Sequence, residues 1–125
     1  MVRLTVPRIA QNLQLWGNEI GDAGMKSFSE ALSSGALPQL THLLLQQNQI
    51  GDAGLTSFSD ALARGALTQL TTFDISYNKI GNAGLKSFSE ALGRGALPSL
   101  KEVVVDNEKH PQLEAACQPR GIEIV

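Results

Sequence analysis

The sequence has little of what most active sites and disulfide frameworks are made from. It contains one cysteine, Cys117, and two histidines, His42 and His110, in 125 residues. One cysteine cannot form an intrachain disulfide, which agrees with a reducing compartment. The histidines stand in separate parts of the chain, so they do not form a pair that could hold a metal or relay a proton. We therefore expect no cofactor and no enzymatic activity.

Long apolar runs and an imbalance of charge are also missing. No stretch reaches the roughly 18 apolar residues that a membrane span needs, and residues 1–8 lack the apolar run of a signal peptide. Lys and Arg number 10 against 12 Asp and Glu, so the net charge is −2. This balance supplies no long-range attraction for nucleic acid or anionic lipid. We expect a cytoplasmic protein that binds neither nucleic acid nor membranes.

The sequence does contain a repeat of thirty residues. The equivalent asparagines Asn18, Asn48 and Asn78 are spaced by 30, and the copy from Leu40 to Gln69 is the fullest. A fixed period of this length indicates a solenoid, in which stacked units bury a shared core. We predict a single domain over residues 1–125. Its parts are a N-terminal edge (1–9), three repeats (10–39, 40–69 and 70–99), and a partial repeat with a C-terminal cap (100–125).

Each copy begins with a short alternation of apolar and polar residues, as in Leu13-Gln14-Leu15 and Phe73-Asp74-Ile75. Alternation at period two predicts a half-buried strand, and we expect these strands to lie parallel and adjacent. The repeated asparagine follows each strand. Its side-chain amide is predicted to donate to and accept from backbone groups that would otherwise be unpaired in the interior.

A helix is predicted after each strand. Its N-cap is expected at an Asp or Asn whose oxygen would accept from the first free N–H groups, at Asp22, Asp52 and Asn82. Apolar residues at helical spacing predict the buried face, which in the second copy is Leu55, Phe58, Ala61 and Leu62. The helix is expected to end at a left-handed glycine, at Gly35, Gly65 and Gly95.

The fourth copy departs from the pattern. Glu108 and His110 replace the asparagine and the isoleucine of the earlier copies, and Pro111 suits the first turn of a short helix. We predict that this helix buries Leu113, Ala116 and Cys117. Residues 122–125 are predicted to form a last strand that covers the end of the stack, as repeat arrays require for solubility.

The pattern L-x-x-L-x-L-x-x-N-x-I, complete from Leu40 to Ile50, resembles the leucine-rich repeat, and the helices make it most similar to the ribonuclease-inhibitor-like subclass. The resemblance implies an α/β solenoid with a parallel sheet on the concave side, helices on the convex side, and protein recognition as the usual role. Ribonuclease inhibitor is much longer and rich in cysteine, so its substrate is not expected here. The near identity of the copies fits recent duplication, an engineered array or a truncated one.

If the strand leucines point inward, the intervening residues form an outward face on the concave side. The strongest candidates for partner contact on it are Trp16, His42, Leu44, Gln46, Asp74, Tyr77, Glu102 and Asp106. The remaining outward positions are Asn12, Gln14, Gly17, Gln47, Thr72, Ser76, Val104 and Asn107. Trp and Tyr are typical anchors of protein interfaces, although Trp16 packing over the N-terminal cap is an alternative.

The outward positions include carboxylates and no Lys or Arg. A basic protein or peptide is therefore favoured as the partner, the alternative being that these carboxylates only keep the sheet soluble. Four strands span only about 15 Å, which falls short of a standard interface of about 800 Å² per partner. The rival hypothesis is a homodimer that forms through a poorly covered N-terminal edge around Leu4, Val6 and Ile9.

Overall fold

The structure is a computed structural model, and it describes residues 11–106 and 110–125. The predicted dimer edge at Leu4, Val6 and Ile9 lies outside the described residues. Asn107 and Glu108 lie outside them as well.

Strands and helices alternate along the chain. Their bounds are β1 (Asn12–Gln14), α1 (Gly21–Ser33), β2 (His42–Leu44), α2 (Asp52–Ala63), β3 (Thr72–Asp74), α3 (Asn82–Gly93), β4 (Glu102–Val104), α4 (Pro111–Cys117) and β5 (Glu123–Ile124). A short 3-10 helix, Gln118–Arg120, joins α4 to β5. The strands form a parallel sheet in the order β1-β2-β3-β4-β5. Each helix packs on the next, so the predicted α/β solenoid is confirmed.

The strands pair in the register that the thirty-residue period predicts. The central residues Leu13, Leu43, Phe73 and Val103 are partners in succession along the sheet. From Leu43 onward these residues are fully buried against the helices. The rings of Phe58 and Phe73 are stacked with their centroids 5.0 Å apart, and the ring of Phe88 is tilted against Phe73 at 5.5 Å. The core is therefore one column of apolar side chains between the sheet and the helices.

The predicted role of the asparagines is confirmed. Asn48 is fully buried, and its Oδ1 accepts from the backbone N–H of Asn18 at 2.8 Å. Its Nδ2 donates to the carbonyls of Leu15 at 2.8 Å and Leu45 at 3.1 Å. Asn78 makes the same contacts one repeat further on. The side-chain amides thus supply the hydrogen bonds that the backbone lacks once it leaves the sheet.

The predicted N-cap role of Asp22 is wrong, and the residue serves the neighbouring repeat instead. α1 begins at Gly21, and Asp22 lies in its first turn. The Asp22 Oδ1 accepts from the backbone N–H groups of Gly51 at 2.7 Å and Gly54 at 2.8 Å. Because adjacent helices run parallel, the first turn of one helix lies beside the free N–H groups of the next. The carboxylate of α1 therefore caps α2.

Asp52 repeats this arrangement, so its predicted N-cap role is also wrong. α2 has Gly51 as its N-cap residue, and the Asp52 Oδ1 accepts from the N–H groups of Gly81 at 2.7 Å and Gly84 at 2.9 Å. α3 likewise begins at Asn82 after the N-cap residue Gly81, so the N-cap prediction for Asn82 is wrong too. The starts of α2 and α3 are therefore completed by the preceding repeat.

This contact explains Gly54 and Gly84, the second glycines of the Gly-Asp-Ala-Gly stretch in the second copy and of its counterpart in the third. A Cβ on Gly54 would stand 2.6 Å from the Asp22 Oδ1, which no side chain tolerates. Only glycine lets the carboxylate reach the backbone here.

The ends of the helices agree with the prediction. Gly35, Gly65 and Gly95 have φ of 94°, 95° and 95°. The residue after each glycine donates its N–H back into the helix, as Ala36 does to the Ala31 carbonyl at 3.1 Å. These contacts form Schellman motifs.

The C-terminal cap closes the stack as predicted, with Leu113 and Cys117 buried and β5 paired to β4. Arg120 adds a contact that the sequence did not predict. Its guanidinium donates to the carbonyls of Leu92 at 3.0 Å and Ala96 at 2.8 Å, and also to that of Leu97. The Leu92 carbonyl lies in the last turn of α3, and those of Ala96 and Leu97 lie in the loop that follows, so the cap is joined to the third repeat by charge-assisted hydrogen bonds. Across residues 11–106 and 110–125, no helix has the length and apolarity of a membrane span.

Candidate functional site

The register of the sheet arranges the outward residues in rows. One row contains Asn12, His42, Thr72, Glu102 and Glu123. The next row contains Gln14, Leu44, Asp74 and Val104. These residues flank the buried central positions, so they lie on the face of the sheet that is turned away from the helices. We call this the concave face.

Two aromatic side chains stand at the carboxyl end of the strands. Trp16 follows β1 and is 58% exposed, and Tyr77 follows β3 and is 71% exposed. Leu44 is half-buried between Gln14 and Asp74 in the second row. Large apolar groups are therefore present in both the first and the third repeat.

Asp74 is held in place by a neighbour. Its Oδ1 accepts from the Ser76 backbone N–H at 2.9 Å and from the Ser76 hydroxyl at 2.6 Å. Ser76 is 6% exposed, so this outward position is covered. The reason is that its short side chain turns back to the Asp74 carboxylate. Asp74 itself stays half-buried in the second row.

Tyr77 has an unusual backbone. Its φ is 55°, in the left-handed region, where the equivalent residues Gly17 and Gln47 have φ of 74° and 59°. The Tyr77 N–H donates to the Asp106 Oδ1 at 2.7 Å. Tyr77 and Asp106 line an open depression of about 740 Å³, together with Val104 and Val125. Val125 is 57% exposed.

Carboxylates gather toward the C-terminal end of the concave face. Glu102 and Glu123 are direct partners on β4 and β5, which places their backbones about 4.8 Å apart. Asp106 is exposed beyond the carboxyl end of β4. Like charges on neighbouring strands repel, so a bound cation would stabilise this region. Glu123 was missed from the sequence, although the alternation in Ile122-Glu123-Ile124 marks it as outward.

The remaining candidates in the second repeat are polar. The Nδ1 of His42 lies 2.9 Å from the Thr41 hydroxyl. Gln46 is half-buried, and within the described residues its Oε1 is a buried acceptor that has no hydrogen-bond donor. A buried acceptor without a donor is uncommon in folded proteins. His42 lies on the concave face, whereas His110 lies beside α4, so the two histidines are not brought together.

The other polar groups have structural roles. Burial raises the pKa of the Cys117 thiol, while the nearby Arg120 acts to lower it. A thiol with a raised pKa is a poor nucleophile. The backbone N–H groups of the Gly-Asp-Ala-Gly stretches bind Asp22 and Asp52, so they are not arranged to hold a phosphate. Among the described residues, no three His, Cys, Asp or Glu side chains are grouped to hold a metal ion.

Comparison with known proteins identifies the repeat. The family described as "Leucine Rich repeat" matches residues 11–29, 37–59 and 66–89, which is more than half of the chain. No curated protein matches this chain. One similar solved structure is "Leiomodin-1 Actin-Binding Site 2 (ABS2)", with a TM-score of 0.68 and 17% identity over 86% of this chain. The chain covers 62% of that solved chain, and at this identity the likeness shows the fold alone. The chain belongs to the leucine-rich repeat family.

Proposed function

We propose that this chain is a non-enzymatic module that binds another protein through its concave face. Repeats of this family generally mediate protein–protein interaction. The proposed contact residues are Trp16, His42, Leu44, Gln46, Asp74, Tyr77, Glu102 and Asp106. The observation that carries the proposal is the strand register, which sets Leu44 beside Asp74. Trp16 and Tyr77 are exposed at the carboxyl end of the strands of the same sheet.

The exposed aromatic residues would supply much of the binding energy. Trp and Tyr bury large areas while few torsions become fixed, and they are enriched among residues whose truncation weakens an interface. Trp16 and Tyr77 lie two repeats apart, so together they would contact a partner that crosses several strands. Leu44 would add apolar contact between them.

The charge of the face favours a basic protein or peptide. Asp74, Glu102 and Asp106 lie on the concave face, and the neighbouring Glu123 adds to the negative charge. Such a face attracts a basic partner and repels nucleic acid.

The size of the face sets the expected affinity. Five strands about 4.8 Å apart span roughly 19 Å, which is small for a stable interface. We therefore expect weak or transient binding. The similar solved domain is named as an actin-binding site, and from it we take only the precedent that this fold can present a protein-binding surface.

Three further assignments belong to this proposal. We assign the chain to the ribonuclease-inhibitor-like subclass, because a helix of 12 or 13 residues follows each of the first three strands. We place the repeats at 10–39, 40–69 and 70–99, between an edge at 1–9 and a partial repeat with its cap at 100–125. We propose the cytoplasm as the location, which fits a single buried and free cysteine.

The proposal is tested by comparing the parent chain with variants in a pull-down from a native extract. The variant Trp16→Ala/Tyr77→Ala removes both exposed aromatic groups. The control variant Lys26→Ala/Lys86→Ala changes two exposed residues of the convex helices. We expect the parent and the control to recover a common partner that the aromatic variant loses. Equal recovery of every partner by all three chains would refute binding through the concave face.

A homodimer is the second candidate, and the first repeat favours it. Leu13, Leu15 and Phe28 are only partly buried, whereas their equivalents Leu43, Leu45 and Phe58 are fully buried. Apolar side chains at the end of a stack can be covered by a second copy. Sedimentation velocity decides this, because a monomer at high micromolar concentration would rule out the dimer.

A further inference from the structure

We infer that Tyr77 is the anchor of a subsite that binds an arginine side chain from a basic segment of the partner protein. The inference rests on the proposed function, since it concerns the C-terminal half of the same concave face. Tyr77 would be the central residue of that half, and the group bound there would be a guanidinium. Three observations support it, namely the backbone, the exposure and the surroundings of Tyr77.

The backbone at Tyr77 suits glycine better than tyrosine. The φ of 55° lies where a Cβ approaches the following carbonyl, and glycine adopts this region freely. The first repeat has Gly17 at the same place. A tyrosine held in this conformation is retained against its backbone preference, and such positions cluster at functional sites.

A residue other than glycine can be kept in the left-handed region because its side chain is buried in the core. Tyr77 is exposed, so this reason does not apply to it. Leu67 and Leu97 also have left-handed backbones, but their side chains are buried and stabilise the core. Glu19, Gln47 and Gln49 are left-handed and exposed, and Gln47 occupies the position of Tyr77 in the second repeat, but these side chains are polar and leave little apolar surface in water. Tyr77 combines the left-handed backbone with a large ring that is 71% exposed. The fold gains little from this ring, whereas a partner would gain a rigid apolar surface.

The surroundings match an arginine side chain. Val104 and Val125 line the same depression and offer apolar contact for the aliphatic stem. Asp106 lines it too, and its Oδ1 accepts from the Tyr77 N–H. Glu102 is one row away from Val104 on the same strand and is the partner of Glu123. Within the depression, the guanidinium would meet the ring of Tyr77 and the carboxylate of Asp106, and the Glu102 and Glu123 pair would add a more distant negative charge.

Arginine fits these groups better than lysine. The guanidinium is planar and weakly hydrated, so it stacks on aromatic rings and binds carboxylates with two hydrogen bonds. The ammonium of lysine is compact and strongly hydrated. The repulsion between Glu102 and Glu123 would be relieved by either cation, so the preference for arginine depends on Tyr77.

The test is an NMR titration of the ¹⁵N-labelled chain with a hexa-arginine peptide. A hexa-citrulline peptide of similar shape and no charge is the control for charge, and a hexa-lysine peptide is the control for the guanidinium. We expect hexa-arginine to shift the backbone amides of Tyr77, Val104 and Asp106 while the convex helices stay unchanged. Hexa-citrulline should shift none of these, and hexa-lysine should bind about twofold to fivefold more weakly.

Two matched glycine variants separate binding from folding. Tyr77→Gly should weaken hexa-arginine binding by about threefold to fivefold, and its melting temperature should stay equal or rise by a few degrees. Gln47→Gly makes the same backbone change one repeat earlier. Its melting temperature should change as that of Tyr77→Gly does, while its binding of hexa-arginine should equal that of the parent. Tyr77→Phe keeps the ring and should keep the binding.

Several results would overturn the inference. Equal affinity of hexa-arginine for the parent and Tyr77→Gly would do so, as would shifts spread evenly over the convex helices. A large fall in the melting temperature of Tyr77→Gly would show that the ring is kept for the fold. If the pull-down finds a concave-face partner but hexa-arginine does not bind at Tyr77, the subsite is refuted and the proposed function stands. If hexa-arginine binds there but every chain recovers the same partners, the proposed function fails and the subsite stands.

Discussion

Asn48 shows how one side chain can replace several backbone partners. It is fully buried, and its amide bonds to backbone groups of both the first and the second repeat. Asn18 is exposed, and its Nδ2 donates to the carbonyls of Leu15 and Trp16 next to it. The same residue type at the same place in the repeat therefore stabilises the fold to different extents.

We expect Asn48→Ala to lower the free energy of unfolding by about 3–5 kcal/mol, because several buried backbone groups lose their partners. Asn18→Ala, the matched variant in the first repeat, should lower it by about 1 kcal/mol, since water can reach the same groups. Urea unfolding followed by circular dichroism measures both. Losses of equal size would contradict the role assigned to the buried amide.

The pKa of the buried Cys117 thiol is shifted, and the shift predicts a pH dependence. Burial raises the pKa of the thiol in the folded chain, so the folded chain retains this proton at a pH where the unfolded chain has lost it. The contribution of Cys117 to stability is fully present below the unfolded pKa of about 8.5, and it is lost as the pH rises through the folded value. We expect Cys117→Ala to flatten the decline of stability above about pH 8.5. Urea unfolding at a series of pH values measures this, and parallel profiles for the parent and the variant would count against it.

The sequence predicted well the residues whose position depends only on their neighbours along the chain. The alternation in Leu13-Gln14-Leu15 is sufficient to separate inward from outward positions, and a glycine after a helix predicts a left-handed turn. The burial of Ser76 was not predicted, because it depends on the Asp74 carboxylate, which competes with solvent for the Ser76 hydroxyl. Alternation alone does not show that competition.

At the scale of the elements, α2 and α3 each depend on the repeat before them. The sequence predicted where the helices lie, since α2 and α3 begin at Asp52 and Asn82 as expected. It did not predict which helix each carboxylate would cap. A local rule pairs Asp with N–H groups two or three residues later, whereas the stacked helices present N–H groups 29 and 32 residues later. Which helix each aspartate caps is determined by the packing of one repeat on the next. The spacing of residues within one repeat does not show this packing.

Amide hydrogen exchange distinguishes the two roles of Asp22. We expect Asp22→Ala to lower the free energy of unfolding by about 1–2 kcal/mol, as loss of a cap does. Protection should be lost at the amides of Gly51 and Gly54, which belong to the next repeat. Asn82→Ala is the matched variant at the same place in the third repeat, and it should have a smaller effect. Loss of protection at the start of α1 in place of Gly51 and Gly54 would show that Asp22 caps its own helix after all.

The C-terminal cap is an element that depends on one side chain. Arg120→Met keeps the aliphatic stem and removes the donors to the carbonyls of Leu92, in the last turn of α3, and Ala96, in the loop after it. We expect it to lower the free energy of unfolding by about 2–3 kcal/mol, because the hydrogen bonds are charge-assisted and part-buried. Arg94→Met, at an exposed position, should change it by less than about 0.5 kcal/mol. Thermal and urea unfolding provide the measurement, and similar losses in both variants would refute the proposed role of Arg120.

At the scale of the whole molecule, the period determined most of what could be predicted. A thirty-residue repeat with one strand and one helix leads directly to a parallel sheet in sequential order, as observed. The outward rows followed from the same register. The depression beside Tyr77 did not, because it depends on β5 and Val125 taking their place next to β4. Glu123 joins the acidic region for the same reason.

The central claim is that a partner covers the concave face and leaves the convex helices in contact with water. Hydrogen–deuterium exchange of the chain, measured with and without the partner recovered by the parent, tests this most directly. We predict that the partner slows exchange in segments containing Trp16, Leu44 and Tyr77 and leaves the exposed faces of α1, α2 and α3 unchanged. Slower exchange confined to the helices, with no change along the strands and the residues that follow them, would contradict the claim.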